Sequence, residues 1–304
     1  MNNDIVKINI DNYDAMAKVM GMDTETNSGS EDSKKNNLPR LKLYHSAIMG
    51  EKNIDGKKTK VELLSGGSYR IEKDKEYFYG SSATARFYLQ RFMYKRFVPA
   101  SGKNDSPTFT KTIMADSLKN DLKDTKGGFN CGRPNGYIKD FDSLDDKIKK
   151  LIVGPTSAKR TRVLFGTIKL NEVVDALGND ASDRLGITPF IWEVDNKDAF
   201  KLIGEVYNTF KNKQILPLQH EIKMTSTEVH DATIPHYLPK LNINFNKKID
   251  ITQKDQVMFA DFIEWVNSYN KYVFSEWTTH SNNDVDKELV EEFIDMEDGI
   301  PVVS

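Results

Sequence analysis

The single cysteine, Cys131, sits two residues before Arg133 in the run Gly127-Gly128-Phe129-Asn130-Cys131-Gly132-Arg133-Pro134-Asn135-Gly136-Tyr137. A cation beside a thiol is the arrangement that lowers a thiol pKa and produces a nucleophile. No signature of a cysteine enzyme surrounds it. The run also lacks the Gly-Lys-Ser/Thr ending and following helix of a phosphate-cradling loop, so it reads as a structured turn region that touches ligand at most. Five histidines occur, His45, His220, His230, His236 and His280, at no metal-ligand spacing. Gly-x-Ser-x-Gly is absent, which removes the usual nucleophile elbow. The acidic pairs Asp145-Asp146 and Glu291-Glu292 lie in solvated contexts and suit a surface better than general acid–base work. Neither a metal nor a cofactor is implied, and an enzyme is the least supported class.

The informative chemistry is basic and aromatic. From Tyr77 to Asn104 there is no acidic residue, while Arg86, Arg91, Lys95, Arg96 and Lys103 alternate with Tyr77, Phe78, Tyr79, Phe87, Tyr88, Phe92, Tyr94 and Phe97. Strict alternation along a strand would put Arg86, Tyr88, Gln90, Phe92, Tyr94 and Arg96 on one face. Phe87, Leu89, Arg91, Met93, Lys95 and Phe97 would form the other. The first face has what a single-stranded nucleic acid needs, flat rings for bases and guanidinium groups for phosphates. The bland alternative is ordinary core packing with a basic rim. A second basic group, Lys159, Arg160 and Arg162, opens a later strand, and Arg133 lies in the glycine-rich loop. The candidate nucleic-acid-binding set is therefore Arg86, Tyr88, Arg91, Phe92, Tyr94, Lys95, Arg96, Arg133, Lys159, Arg160 and Arg162.

The elements that position these residues follow from the same pattern. A 304-residue chain is long enough for a substantial core. Residues 21–37 hold one large apolar side chain, which predicts a flexible linker after an N-terminal arm with Ile5, Val6, Ile8 and Ile10, then Met16, Val19 and Met20. Lys60–Leu64 and Ser68–Lys73, joined by Ser65-Gly66-Gly67, read as a hairpin. Residues 84–97 read as a strand, and 99–160 as loops with a short helix near Asp145–Ile152. Further strands are expected over Arg162–Leu170 and Ile187–Val194, at Ile222 and Met224, and through Leu241, Ile243 and Phe245. A helix over 197–212 is capped by Asn196 or Asp195. Thr252 and Asp255 resemble a capping box ahead of a helix reaching about Trp277. This order is α+β with a mostly antiparallel sheet. A β barrel of OB type with inserted loops and helices would produce it, as would other β-rich folds.

Charge divides the chain. Residues 281–304 carry Asp284, Asp286, Glu288, Glu291, Glu292, Asp295, Glu297 and Asp298 against Lys287, a net of −7, so the overall −2 leaves +5 on residues 1–280. Such a block reads as a disordered, solvated interaction tail, the bland alternative being a solubilising terminus. No apolar run is long enough to span a membrane, and Met1-Asn2-Asn3-Asp4 does not open a signal peptide. One cysteine fits a reducing, cytoplasmic setting.

A flexible N-terminal arm and linker over 1–37, a basic β-rich body over 38–280 with an aromatic strand, and an acidic tail over 281–304 with an apolar tip form a layout that resembles phage and bacterial single-stranded DNA-binding proteins. Leu38-Pro39-Arg40-Leu41, Gly128-Phe129-Asn130-Cys131-Gly132-Arg133 and Pro189-Phe190-Ile191-Trp192-Glu193 look like those of marine tailed phages. The resemblance covers residues 38–304. It implies an OB-fold barrel that holds single-stranded DNA through stacked aromatics and basic side chains, in phage DNA replication, recombination or repair within the infected host cell. It also implies an acidic tail that recruits replication proteins such as a polymerase, helicase or recombinase. Val303-Ser304 stands where that family ends in phenylalanine. The alternative is a phage virion structural or assembly protein without DNA-binding activity, and a homo-oligomer is compatible with either. The two part on whether Arg86, Tyr88, Phe92, Tyr94 and Arg96 line an exposed groove.

Overall fold

The structure is a computed structural model. It describes residues 38–54, 56–100, 102, 106–136, 138–230 and 236–297, without the side chains of Lys52, Ile54 and 282–297. The arm and linker expected over 1–37 lie outside the described residues. The elements are β1 (Arg40–Tyr44), β2 (Ile48–Ile54), β3 (Lys57–Leu64), β4 (Ser68–Lys73), β5 (Glu76–Gly80), β6 (Ser82–Val98), β7 (Thr108–Lys111), α1 (Asp146–Ile152), β8 (Ala158–Asn171), β9 (Val174–Asp175), β10 (Thr188–Val194), α2 (Lys197–Asn212), β11 (Ile222–Val229), β12 (His236–Ile243) and α3 (Gln253–Glu297). The described chain forms two compact units, one from 38–92 with Thr161–Trp265, the other from Met93–Arg160 with 266–297.

In the first unit the strand order is β12-β11-β6-β8-β10-β1-β4-β5-β9. Its described pairings are antiparallel except β1 with β10. The fold is α+β with a mostly antiparallel sheet. The order has two free ends, β12 and β9, so the sheet is open among the described residues, where an OB-type barrel would close. The expected hairpin is corrected: both of its strands form, but β3 pairs with β2, whereas β4 pairs with β1 and β5. The Ser65-Gly66-Gly67 turn therefore hands the chain from one sheet to another, and the Gly67 N–H bonds Tyr44 O at 2.8 Å.

Both faces of the central strand β6 are covered. Phe87 stacks on Tyr207 of α2 at 6.3 Å and meets Phe190 edge-on at 6.2 Å. Tyr88 meets Phe262 of α3 at 5.7 Å, and Phe165 of β8 packs on Phe262 and Trp265. Phe92 then packs on Phe200 of α2 at 6.0 Å. Phe87 and Phe92 have opposite parity, yet both reach α2. Gly166 of β8 faces β6 closely; a Cβ there would collide with the Arg86 carbonyl oxygen.

The helices start where the sequence places them. Asn196 Oδ1 accepts from the N–H groups of Asp198 and Ala199, capping α2. The capping box of α3 forms with aspartate: Thr252 N–H donates to Asp255 Oδ2 at 2.8 Å, and Asp255 N–H to Thr252 Oγ1 at 3.3 Å.

In the second unit, the end of β6 pairs with β7. Tyr94, Leu122, Cys131 and Ala158 form a core flanked by Ile113, Ala115 and Leu118. Asn270 of α3 brackets Met114, accepting from its N–H at 2.7 Å and donating to its carbonyl at 2.8 Å. Helix α3 runs 45 residues, about 67 Å at 1.5 Å per residue. It continues through the segment expected to be a disordered tail. Residues 281–297 hold no Gly or Pro, and Glu, Lys and Leu are strong helix formers, so propensity overrides like-charge repulsion here.

Candidate nucleic-acid interface

The aromatic face expected to stack on bases is interior. Tyr88 is 2 % exposed, Gln90 3 % and Tyr94 1 %. Tyr88 and Tyr94 are packing residues and Phe92 is half-buried against Phe200, so among the described residues these three rings do not line an exposed groove. The physical reason is the two-sided cover of β6: a strand buried on both faces shows no polar side, and its arginines turn inward to satisfy local groups.

Those arginines have internal partners. Arg86 Nη1 pairs with Asp255 Oδ1 at 2.8 Å, and its Nε donates to Leu218 O at 2.9 Å. Tyr88 OH donates to the same Asp255 oxygen. Burial pushes the Asp255 carboxyl up, but donors from Tyr88 and Thr252 and the Arg86 charge outweigh it and hold the pKa at about 2. Burial, then the hydrogen bond to Asp255, lifts Tyr88 to about 12. The group locks the start of α3 onto β6.

Arg162, 6 % exposed, donates to Gln90 Oε1 and lies against three rings, 4.9 Å from Phe92, 4.6 Å from Phe200 and 5.8 Å from Tyr207. Burial draws its pKa down to about 10, so the guanidinium stays charged at neutral pH, held by ring faces rather than phosphate. Arg91 is half-buried and donates to Gln90 O at 2.9 Å. In the second unit, Arg96 Nε donates to Thr156 O at 3.2 Å, and Arg133 Nη1 to Ile152 O at 2.9 Å and Ala158 O at 3.2 Å. Arg133 thereby caps the C-terminal end of α1, where a cation is favoured. Of the eleven residues singled out, Lys159 and Arg160 are the ones fully on the surface, and Lys95 is half-buried.

The glycine-rich loop is a structured turn, as its composition suggests. The buried Asp124 carboxylate accepts from the N–H groups of Lys126, Gly128 and Cys131. Asn130 Oδ1 accepts from Leu122 N–H at 2.8 Å. Asn130, Cys131 and Gly132 all have positive φ. The Cys131 thiol is buried and points at the carbonyls of Thr110 and Tyr94, 3.4 and 3.6 Å away. Burial, then the Asp124 charge, raises its pKa strongly. The thiol stays protonated, and the activated nucleophile weighed for it is not built.

What the second unit does present is the outward face of the β6–β7 ladder. Lys95 pairs across the ladder with Lys111, and Phe97 with Phe109. Directly opposed residues share a face. Thr110, one residue away on the other face, is 5 % exposed, whereas Phe97 and Phe109 are 37 % and 51 % exposed. The two rings lie 5.4 Å apart, and Lys95 Nζ sits 4.7 Å from the Phe109 ring centre. Two exposed rings and two half-buried lysines therefore share one face of the ladder. Residues 93–160 hold fourteen Lys and Arg against eight Asp and Glu, a net of +6, so they account for the positive charge of the body. Sequence reasoning missed Phe109 and Lys111, although Thr108-Phe109-Thr110-Lys111 alternates as a short strand does. It put Phe97 on the face not favoured.

The acidic positions Asp284, Asp286, Glu288, Glu291, Glu292, Asp295 and Glu297 lie along the backbone of α3, and Asp298 lies outside the described residues. Among the described residues, no group of three or more His, Cys, Asp and Glu could hold a metal ion, and no helix is long and apolar enough to cross a membrane. Compared with known proteins, the chain matches no family model, no curated protein and no solved structure.

Proposed function

We propose that this protein binds single-stranded DNA without sequence preference through the outward β6–β7 face, with Phe97 and Phe109 stacking on bases and Lys95 and Lys111 neutralising phosphates. The observation that carries this reading is the opposed lysine pair beside the opposed phenylalanine pair. Exposed rings beside cations are the elements of sequence-tolerant strand binding. The reading does not require an OB-type barrel, since a ladder face offers the same groups.

In this reading the protein does no covalent chemistry. It holds strands exposed during phage DNA replication, recombination or repair, and the acidic stretch of α3 recruits replication proteins. The test is a titration of a fluorescent DNA oligomer of about 30 nucleotides, longer than the roughly 4–16 of one binding site, at two salt concentrations with a duplex control. Salt-sensitive binding to the single strand, weaker on duplex and weakened by Phe109→Ala, supports the proposal. Absence of binding at low salt overturns it and leaves the virion-assembly alternative.

A further inference from the structure

The glycine-rich turn extends the β6–β7 ladder and holds a ring on its outward face. Thr112 pairs in antiparallel register with Asp124, and Lys123 with Phe129. Ile113 N–H donates to Lys123 O and Thr125 N–H to Lys111 O, while Asn130 N–H donates to Leu122 O. Segment 122–125 therefore lies beside the continuation of β7, and 129–130 lies beside 122–125. Leu122 and Asp124 are buried with Thr110 and Thr112. Alternation then puts Lys123 and Phe129 on the other face, the one that carries Phe109 and Lys111.

On that face a second group of rings surrounds a cation. Phe129 meets Trp277 of α3 edge-on at 5.9 Å, and Trp277 lies 6.1 Å from Phe274. Lys123 Nζ sits 3.9 Å from the Trp277 ring centre and 4.3 Å from that of Phe274. Phe129 is 46 % exposed and Phe274 50 %. A core cluster would hide such rings, and contiguous apolar surface left open in this way marks an interaction site. The mount is fixed as well. Ser281 Oγ donates to Gly127 O at 3.2 Å, and at Gly127, whose φ is +81°, a Cβ would come within 2.9 Å of Ser281 N. Turn and helix are thus held together before any ligand arrives, which lowers the ordering cost of binding.

We infer that Phe129, Phe274 and Trp277 around Lys123 form a second base-stacking subsite, and that a bound DNA strand continues along this face from the β6–β7 patch to α3. The inference rests on the strand-binding reading. Lys123 stands four residues along and one strand across from Phe109, about 14 Å away, and Phe129 one strand further, about 16 Å. At about 3.4 Å per stacked nucleotide, about four or five nucleotides cover that distance, within the roughly 4–16 of one binding site. Lys95, Lys111 and Lys123 follow one another on the face, and residues 93–160 carry a net +6, so a polyanion complements it better than a second copy of the chain does.

Trp277 supplies the probe, since of the three tryptophans it alone lies in the second unit. Its Nε1 makes no hydrogen bond among the described residues, so Trp277→Phe removes none. Adding an oligomer of about 30 nucleotides to the full-length chain is expected to change tryptophan emission. Trp277→Phe should abolish that change while anisotropy still reports binding. Phe129→Ala with Phe274→Ala should weaken binding about fivefold or more at an unchanged salt slope. Binding without a Trp277-dependent emission change, or with affinity in the alanine variant within about twofold of the original, overturns the subsite and leaves the β6–β7 reading standing. Absence of binding by the unmodified chain overturns both. Self-association that Phe274→Ala removes, with no emission change on adding DNA, assigns the rings to a second copy of the chain and also overturns the inference.

Discussion

Removing the two ladder rings separates the strand-binding proposal from a merely basic surface. Phe97 and Phe109 are exposed and touch each other, so replacing both with alanine forfeits about 0.5–1.5 kcal/mol of ring–ring contact and leaves the buried side of the ladder in place. A stacked base is worth about 1–3 kcal/mol, which is about 5- to 150-fold in affinity for each ring lost. Because no charge changes, the slope of log affinity against log salt stays as it was. Lys95→Ala and Lys111→Ala should do the reverse: each lowers the slope by about 0.7, the single-strand value for one phosphate contact. Fluorescence anisotropy with the oligomer of about 30 nucleotides at four salt concentrations reads affinity and slope together. If the double ring variant binds within about twofold of the original chain, or the lysine variants leave the slope unchanged, the ladder face is not the binding surface.

Asp255 has its pKa held at about 2 against an ordinary 3.8, so its contribution is complete above pH 3.8 and disappears as pH falls toward 2; Asp255→Asn should flatten that acid limb of chemical-denaturation stability by about 1–2 kcal/mol. Arg162→Met should leave DNA affinity unchanged and move only the melting temperature, since a cation boxed by Phe92, Phe200 and Tyr207 is a packing group that an apolar side chain can replace. The Cys131 thiol, held protonated by burial, should resist a disulfide-exchange reagent at pH 7 until denaturant is added; a rapid native reaction would contradict the packing described for it.

Local signals were legible and long-range ones were not. The Asn196 cap, the Thr252–Asp255 box and the apolar spacing of α2 all appear where their residues predict, because each depends on groups within a few positions. The Lys60–Leu64 and Ser68–Lys73 strands were legible one at a time, but their partners lie elsewhere in the chain, and the Gly66-Gly67 turn does not specify pairing. Helix α3 runs on past Trp277 because the acidic segment, whose charge pattern suggests a break, is rich in strong helix formers.

Strand β6 shows where strict alternation misleads. Alternation divides its rings and arginines into two mixed faces. Both are core over most of the strand, because Phe87 and Phe92 meet α2 while Tyr88 meets α3. Under such cover an arginine is retained only with a partner, and each of Arg86, Arg96, Arg133 and Arg162 has one inside its own unit. A basic count therefore overstates the charge available to a ligand. In the proposed reading the relevant cations lie beside rings that solvent reaches, and on β6 such a ring appears where the cover ends, at Phe97, with half-buried Lys95 near it and β7 supplying Phe109 and Lys111 from across the ladder.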